Sequence, residues 1–257
     1  MFTFNGVTAS TMGINVNRAT IQAITNQDNQ FKELTADDGL LDFGTFLKEK
    51  YITFECNFKP KTSLSVMMAT IDTLNGYLNP KLGLKSLILD STPARQYFAK
   101  LANGLDITKV VRTGAVFNLV FVCPDPYAYT IASTNIQYTT GGTKNPSIGG
   151  NATVKPIITI VADIDPADDH LVLNFNNDED IIEIKDTITS SYELEIDCNN
   201  CIVIYRNIST LAESNGLPYL ERVAFPELLN GANTLEITVG SGMSLTSIDI
   251  DYNARYI

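Results

Sequence analysis

Residues Val116 to Thr130 read VFNLVFVCPDPYAYT, an apolar run that stops at two prolines set around an aspartate and resumes as two tyrosines. Val, Phe and Leu in so short a run favour a strand, and the near absence of polar residues predicts one buried on both faces. Pro124 and Pro126 remove two backbone donors and fix φ, so neither fits inside a central strand. The stretch therefore predicts a last strand that leaves its sheet at the prolines, and with it the end of a domain.

Charge marks the same place. Of the 257 residues, 18 are basic and 29 acidic, for a net charge of −11. Through Ala132 there are 12 basic and 11 acidic residues; beyond it there are 6 and 18. A near-neutral first half thus meets a strongly acidic second half at the proline motif. Such an acidic surface disfavours nucleic-acid binding through phosphate neutralisation, and it disfavours anionic membrane surfaces. The N-terminus MFTFNGVTAS has no basic start leading into an apolar stretch, and no run approaches the ~20 residues of a membrane-spanning helix, so neither export nor insertion is expected. Four cysteines are too few for a disulfide scaffold, so free thiols in a reducing compartment are expected.

Before the boundary, Val7 to Asp28 is short β-like material and TADDGLLDFG (Thr35 to Gly44) is a loop. In KYITFECNFK, Ile52, Phe54, Cys56 and Phe58 alternate with polar residues and so share one face, which makes Cys56 a core residue. Leu64, Met67, Met68, Ile71, Leu74 and Leu78 recur at helical spacing, predicting a helix over about 63–78. Thr62 or Ser63 caps it, Gly76 and Pro80 lie where it ends, and both methionines are core filler. LKSLILD and ARQYFAKL form a hairpin around Asp90 to Pro93. After the boundary, Ile131 to Gly150 is a Thr-, Gly- and Asn-rich connection, and VKPIITIVADI opens a second series of strands. In YELEIDCNNCIVIYR, a two-residue turn at Asn199 and Asn200 pairs Glu193 with Arg206, Leu194 with Tyr205 and Ile196 with Val203. It also sets Cys198 opposite Cys201 on the same side. ANTLEITV and SLTSIDIDY alternate as well. The fold class is mainly β: two β-sandwich domains, 1–130 with the single helix and 131–257 acidic and all-β.

No catalytic, cofactor-binding or metal-binding residue stands out. Cys198 and Cys201 lack the second ligand pair of a structural zinc site and sit on a hairpin rather than at a helix start. Asp163, Asp165, Asp168 and Asp169 lack the glycine and terminal glutamate of an EF-hand loop. His170 is the only histidine and has no nucleophile motif beside it. A glycan site built on Tyr192, Tyr205, Tyr219, Tyr252 and Tyr256 would have to do without tryptophan, and the first two belong to the hairpin's apolar face.

Taken in order, FTFNGV (Phe2 to Val7), GLLDFGTFLKEKYITFECNF (Gly39 to Phe58), LNGYLNPKLG (Leu74 to Gly83), CPDPYAY (Cys123 to Tyr129) and FPELLNGANTLEI (Phe225 to Ile237) resemble the distal tail protein (Dit) family of siphophages. The resemblance spans nearly the whole chain. It implies an N-terminal sandwich with a helix and a C-terminal sandwich of galectin-like or carbohydrate-module-like shape. It further implies a virion protein of the tail tip, assembled in the host cytoplasm as a homo-hexameric ring, without enzymatic activity or cofactor. Implied partners are the major tail protein above and the tail-associated lysin or baseplate hub protein below, with receptor-binding proteins attached in many phages. The family's larger members carry long insertions in the second domain that this chain lacks. The charge asymmetry places the ring contacts before Thr130. A carbohydrate-binding module for host wall glycan is the alternative reading, and a wall-polymer hydrolase the third.

Overall fold

The computed structural model describes residues 1–33, 38–104, 116–165, 170–176 and 180–257. The chain divides into two compact units, Met1–Ile131 together with Ile257, and Ala132–Tyr256.

The strands of the first unit are β1 (Phe2–Phe4), β2 (Val7–Thr8), β3 (Ile14–Ile21), β4 (Gln27–Glu33), β5 (Leu40–Leu47), β6 (Lys50–Phe58), β7 (Lys85–Leu89), β8 (Arg95–Leu101), β9 (Val116–Cys123) and β10 (Ala128–Thr130), with helix α1 (Leu64–Tyr77) between β6 and β7. The main sheet runs β2-β1-β7-β8-β9-β6-β3. Asn5 and Gly6 link β1 to β2, both at positive φ, as a two-residue hairpin turn requires. Although β1 and β6 lie four places apart in this order, the rings of Phe2 and Phe54 are 4.3 Å apart. The sheet therefore folds over on itself, and Phe121 packs against Phe2, Phe4 and Phe54 inside the fold.

Residues Val116 to Thr130 depart from expectation in two ways. Strand β9 is buried on one face only: Phe117, Leu119, Phe121 and Cys123 are buried while Val116 and Asn118 are exposed. Nor does the chain leave the sheet at the prolines. Val122 and Phe121 pair with Lys100 and Leu101 of β8, and beyond the prolines Tyr129 and Thr130 pair with Gln96 and Arg95 of the same strand. Three residues of β8, Tyr97 to Ala99, thus face Cys123 to Ala128, so the Pro-Asp-Pro motif is a wide bulge. Asp125 holds it, accepting from the backbone N–H of Tyr127 at 3.2 Å and from the Tyr129 hydroxyl at 2.5 Å. Pro can sit here because a bulged residue owes the ladder no donor.

The helix forms where its period placed it. Ser63 caps it by accepting from the Val66 N–H, and Met67, Ile71 and Leu74 turn inward. Leu64 and Met68, expected in the core, are exposed instead. The inward stripe is therefore narrow. Gly13 meets the helix so closely that a Cβ there would lie 2.6 Å from Thr70 Cγ2, and its φ is +83°; only glycine suits both constraints.

The second unit holds β11 (Thr134–Tyr138), β12 (Gly142–Lys144), β13 (Ser147–Ile148), β14 (Ile157–Asp163), β15 (Leu171–Phe175), β16 (Asp180–Ile184), β17 (Tyr192–Asp197), β18 (Ile202–Asn207), β19 (Glu213–Asn215), β20 (Leu220–Arg222), β21 (Gly231–Ala232), β22 (Leu235–Thr238) and β23 (Ser244–Tyr252). One sheet is ordered β11-β23-β14-β17-β18-β19 and the other β12-β22-β15-β16-β20. Their inward residues, such as Ile158, Leu173, Ile182, Ile196 and Ile250, make one core. The expected connection at Ile131 to Gly150 instead contributes three strands, because Thr134 to Tyr138 pair with β23 at the far end of the chain. Asn233 braces FPELLNGANTLEI: buried, it accepts from the Leu229 N–H at 2.9 Å and donates to the Leu229 carbonyl at 2.8 Å. Buried amides persist only when satisfied in this way.

Phe121→Ala is expected to destabilise the first unit by about 3–5 kcal/mol through lost burial and a residual cavity. Chemical denaturation followed on the first unit's transition measures this; a change below about 1 kcal/mol would place Phe121 outside the core.

Candidate assembly surface

Between β3 and β6 the chain makes an excursion. Strands β4 and β5 pair only with each other, from Gln27 opposite Leu47 to Glu33 opposite Leu40. The ribbon continues the β3–β6 ladder: the Gln22 N–H donates to the Tyr51 carbonyl and the Lys48 N–H to the Asn26 carbonyl. At about 3.3 Å per residue, the seven residues of β4 carry it roughly 23 Å. We call it the arm. Leu40 to Gly44, expected as loop, are thus strand; Thr35 to Asp37 lie outside the described residues. A bulge between Asn29 and Phe31 places Gly44 at φ +100°, with its N–H held by Asp42 Oδ1 at 2.8 Å.

The arm's side chains are unusual for a strand pair in water. Phe31, Leu40, Leu41, Phe43 and Phe46 are between 45% and 64% exposed. Across the ladder Phe31 faces Asp42, Lys32 faces Leu41, Glu33 faces Leu40 and Asp28 faces Phe46. Four of the five, Phe31, Leu40, Leu41 and Phe46, therefore stand directly opposite a charge, and Phe43 sits in the bulge. An isolated two-stranded ribbon is marginal by itself, and a run of bare aromatic and aliphatic side chains marks a contact surface. Sequence reasoning missed the arm because it weighed Gly39, Gly44 and the aspartates as loop signals. The alternation of Leu41 and Phe43 with Asp42 was the available clue.

The residues considered as chemical sites are placed apart from one another. Leu194–Tyr205, Ile196–Val203 and Glu193–Arg206 pair in the expected register. The turn spans Cys198 to Cys201, however, and Cys201 takes φ +55°, so Cys198 is buried and Cys201 exposed rather than sharing a side. Asp197 Oδ1 accepts from the N–H groups of Asn199 and Asn200, which fixes that turn. His170 Nδ1 lies 2.6 Å from Glu183 Oε1. Asp163 accepts from the Ser190 N–H, while Asp168 and Asp169 lie outside the described residues. Among the described residues no three metal-binding side chains gather, and no helix is long and apolar enough to cross a membrane. Tyr205 stacks between Tyr192 at 4.6 Å and Tyr219 at 4.1 Å, so its faces are already covered.

Two comparisons with known proteins bear on this fold. Residues 6–123 match the phage tail protein RIFT-related domain family. Among solved structures, the chain is similar to the SPP1 Dit protein, described as a paradigm of the hub adsorption apparatus in phages infecting Gram-positive hosts. The TM-score is 0.79 at 12% identity, covering 100% of this chain and 98% of that one. The baseplate of phage p2 in its activated conformation with calcium gives a TM-score of 0.44 at 11% identity, over 94% of this chain and 90% of that one. No curated protein matches the chain. The likeness to the Dit family read from the sequence is borne out in the fold, which is shared with SPP1 Dit along the whole chain.

Burial pushes the thiols of Cys56, Cys123 and Cys198 up to about 12, with the neighbouring carboxylates of Glu55 and Asp197 adding to the effect at Cys56 and Cys198. At pH 8 the folded protein should therefore expose one reactive thiol, Cys201, and the unfolded, unreduced protein four. Ellman titration with and without guanidinium tests this; two thiols after unfolding would reveal a disulfide.

Proposed function

We propose that this chain is a structural component of a siphophage tail, forming the hub ring at the distal end of the tail tube. The observation that carries the reading is the combination of a tail RIFT-related domain over residues 6–123 with a likeness to SPP1 Dit along the entire chain. In this reading the ring is a homo-hexamer, the number coming from the family resemblance. It joins the major tail protein above to the tail-associated lysin or baseplate hub protein below, and it carries the host-adsorption apparatus with its receptor-binding proteins. It acts at the virion tail tip after assembly in the host cytoplasm, binds no cofactor and catalyses no reaction.

The first unit supplies the contacts. A closed ring needs a heterologous interface, one patch meeting a different patch on the next copy. The arm is a natural donor patch, since burying the exposed half of each of its five large apolar side chains would gain about 1 kcal/mol apiece. The acidic second unit would repel its copies at close quarters and stays clear of the ring's inner contacts. The carbohydrate-module reading loses support from Tyr192, Tyr205 and Tyr219, whose rings stack on one another instead of standing free.

The purified full-length chain should sediment and scatter light as a closed oligomer and show six-fold rings in negative stain. Phe43→Ser with Phe46→Ser should weaken assembly at least about tenfold while leaving the thermal midpoint of the dissociated chain unchanged. A chain that stays monomeric at tens of micromolar and is retained by host cell walls would replace the hub with the glycan-binding reading.

A further inference from the structure

The arm needs a receiver, and helix α1 of the first unit offers a weakly charged surface. The outward side of α1 is unlike that of an ordinary surface helix. In LSVMMATIDTLNGY the only charged residue is Asp72. Leu64, Val66 and Met68 are 43% to 54% exposed, and Ser65, Ala69 and Thr73 are exposed beside them. A helix that meets water is expected to carry charge on that side; small and apolar residues instead allow close approach of another backbone. Along its flank lies a shallow recess of about 270 Å³, lined by Met12, Gly13, Lys61, Val66, Ala69 and Thr73 among others. It is open to solvent and has room for an aromatic side chain.

Charge complements shape. The outer half of the arm carries Glu33, Asp38 and Asp42 against Lys32. The start of α1 has Lys59 and Lys61 before it and no acid in its first turn. Its unpaired N–H groups add a partial positive charge there. Lys61 has no ion pair among the described residues.

We infer that the arm of one copy lies on the outer side of α1 of the next, with Phe43 or Phe46 in the recess beside Val66 and Ala69 and the arm's carboxylates toward Lys61. This rests on the ring reading and specifies its interface. Donor and acceptor are different patches on each copy, so the contact is heterologous and repeats around the ring. It also gives the ribbon the packing partner that a two-stranded sheet lacks in isolation.

Disulfide trapping on the full-length chain tests it, in a Cys201→Ser background where the remaining thiols are buried. Phe43→Cys or Phe46→Cys is combined with Val66→Cys or Ala69→Cys, giving four pairs. A control combines Phe46→Cys with Leu229→Cys, which is exposed in the second unit. Mild oxidation should convert at least one arm–helix pair into a ladder of covalent oligomers on a non-reducing gel, because paired Cα atoms within about 7 Å can bridge. The control should give no ladder. Ala69→Glu should raise the concentration for half-assembly at least about tenfold. Rings that form normally while all four pairs fail to cross-link, or a control that cross-links as well as they do, would overturn the inference and leave the ring reading standing. Absence of rings from the unaltered chain would overturn both.

Discussion

The β6–β9 ladder is the constraint on which the first unit depends. Ile52 stands opposite Phe121, Phe54 opposite Leu119 and Cys56 opposite Phe117, and all six are buried on the same face. Period-two alternation makes that face continuous, and a slip of one residue would turn the whole set to solvent. The fold-over of β1, the inward stripe of α1 and the position of β3 each answer to this one surface. Even the arm depends on it, because β4 and β5 are spliced into the chain between β3 and β6, and their direction is inherited from that ladder.

Short-range rules carried most of what the sequence disclosed. The strand at Ile52 to Phe58, the helix with Ser63 at its start, the hairpin around Asp90 and the register of β17 with β18 are each decided within about twenty residues, where periodicity and turn chemistry speak directly. Three features escaped, two of them because their partners are remote or missing. Thr134 to Tyr138 pair with Ser244 to Tyr252 at the other end of the chain, so a Thr- and Asn-rich stretch became strand through tertiary pairing. Asn118 was the sign that β9 has a wet face, and it was outweighed by the phenylalanines around it. The arm has no apolar partner in its own chain, which made its strands look like loop.

The candidate assembly surface was therefore less legible than the scaffold. A core residue declares itself by agreeing with its neighbours, and Phe54 or Leu194 does so at every level. Phe46 and Met68 break the local rule by being apolar where the chain is exposed, and such conflicts are where a sequence specifies something beyond its own fold. The likeness of motifs supplied what periodicity could not, because it was carried by turns and bulges: Asn5-Gly6, the Pro-Asp-Pro bulge held by Asp125, and the turn braced by Asn233.

The splice of the arm into β3 and β6 also sets how it would carry load. Tension along the arm runs parallel to the strands of the ladder it continues. Both strands of the β3–β6 pair are drawn the same way, so the load falls on the cross-strand bonds between Lys50–Phe58 and Val116–Cys123, which would be strained together, in shear, instead of parting one at a time as in a peeled hairpin. Strands loaded in this way yield at higher force than strands unzipped from an end. A pull on the arm would thus pass into the central sheet of its own unit, leaving the ribbon stiff in tension along its length and free to bend across it.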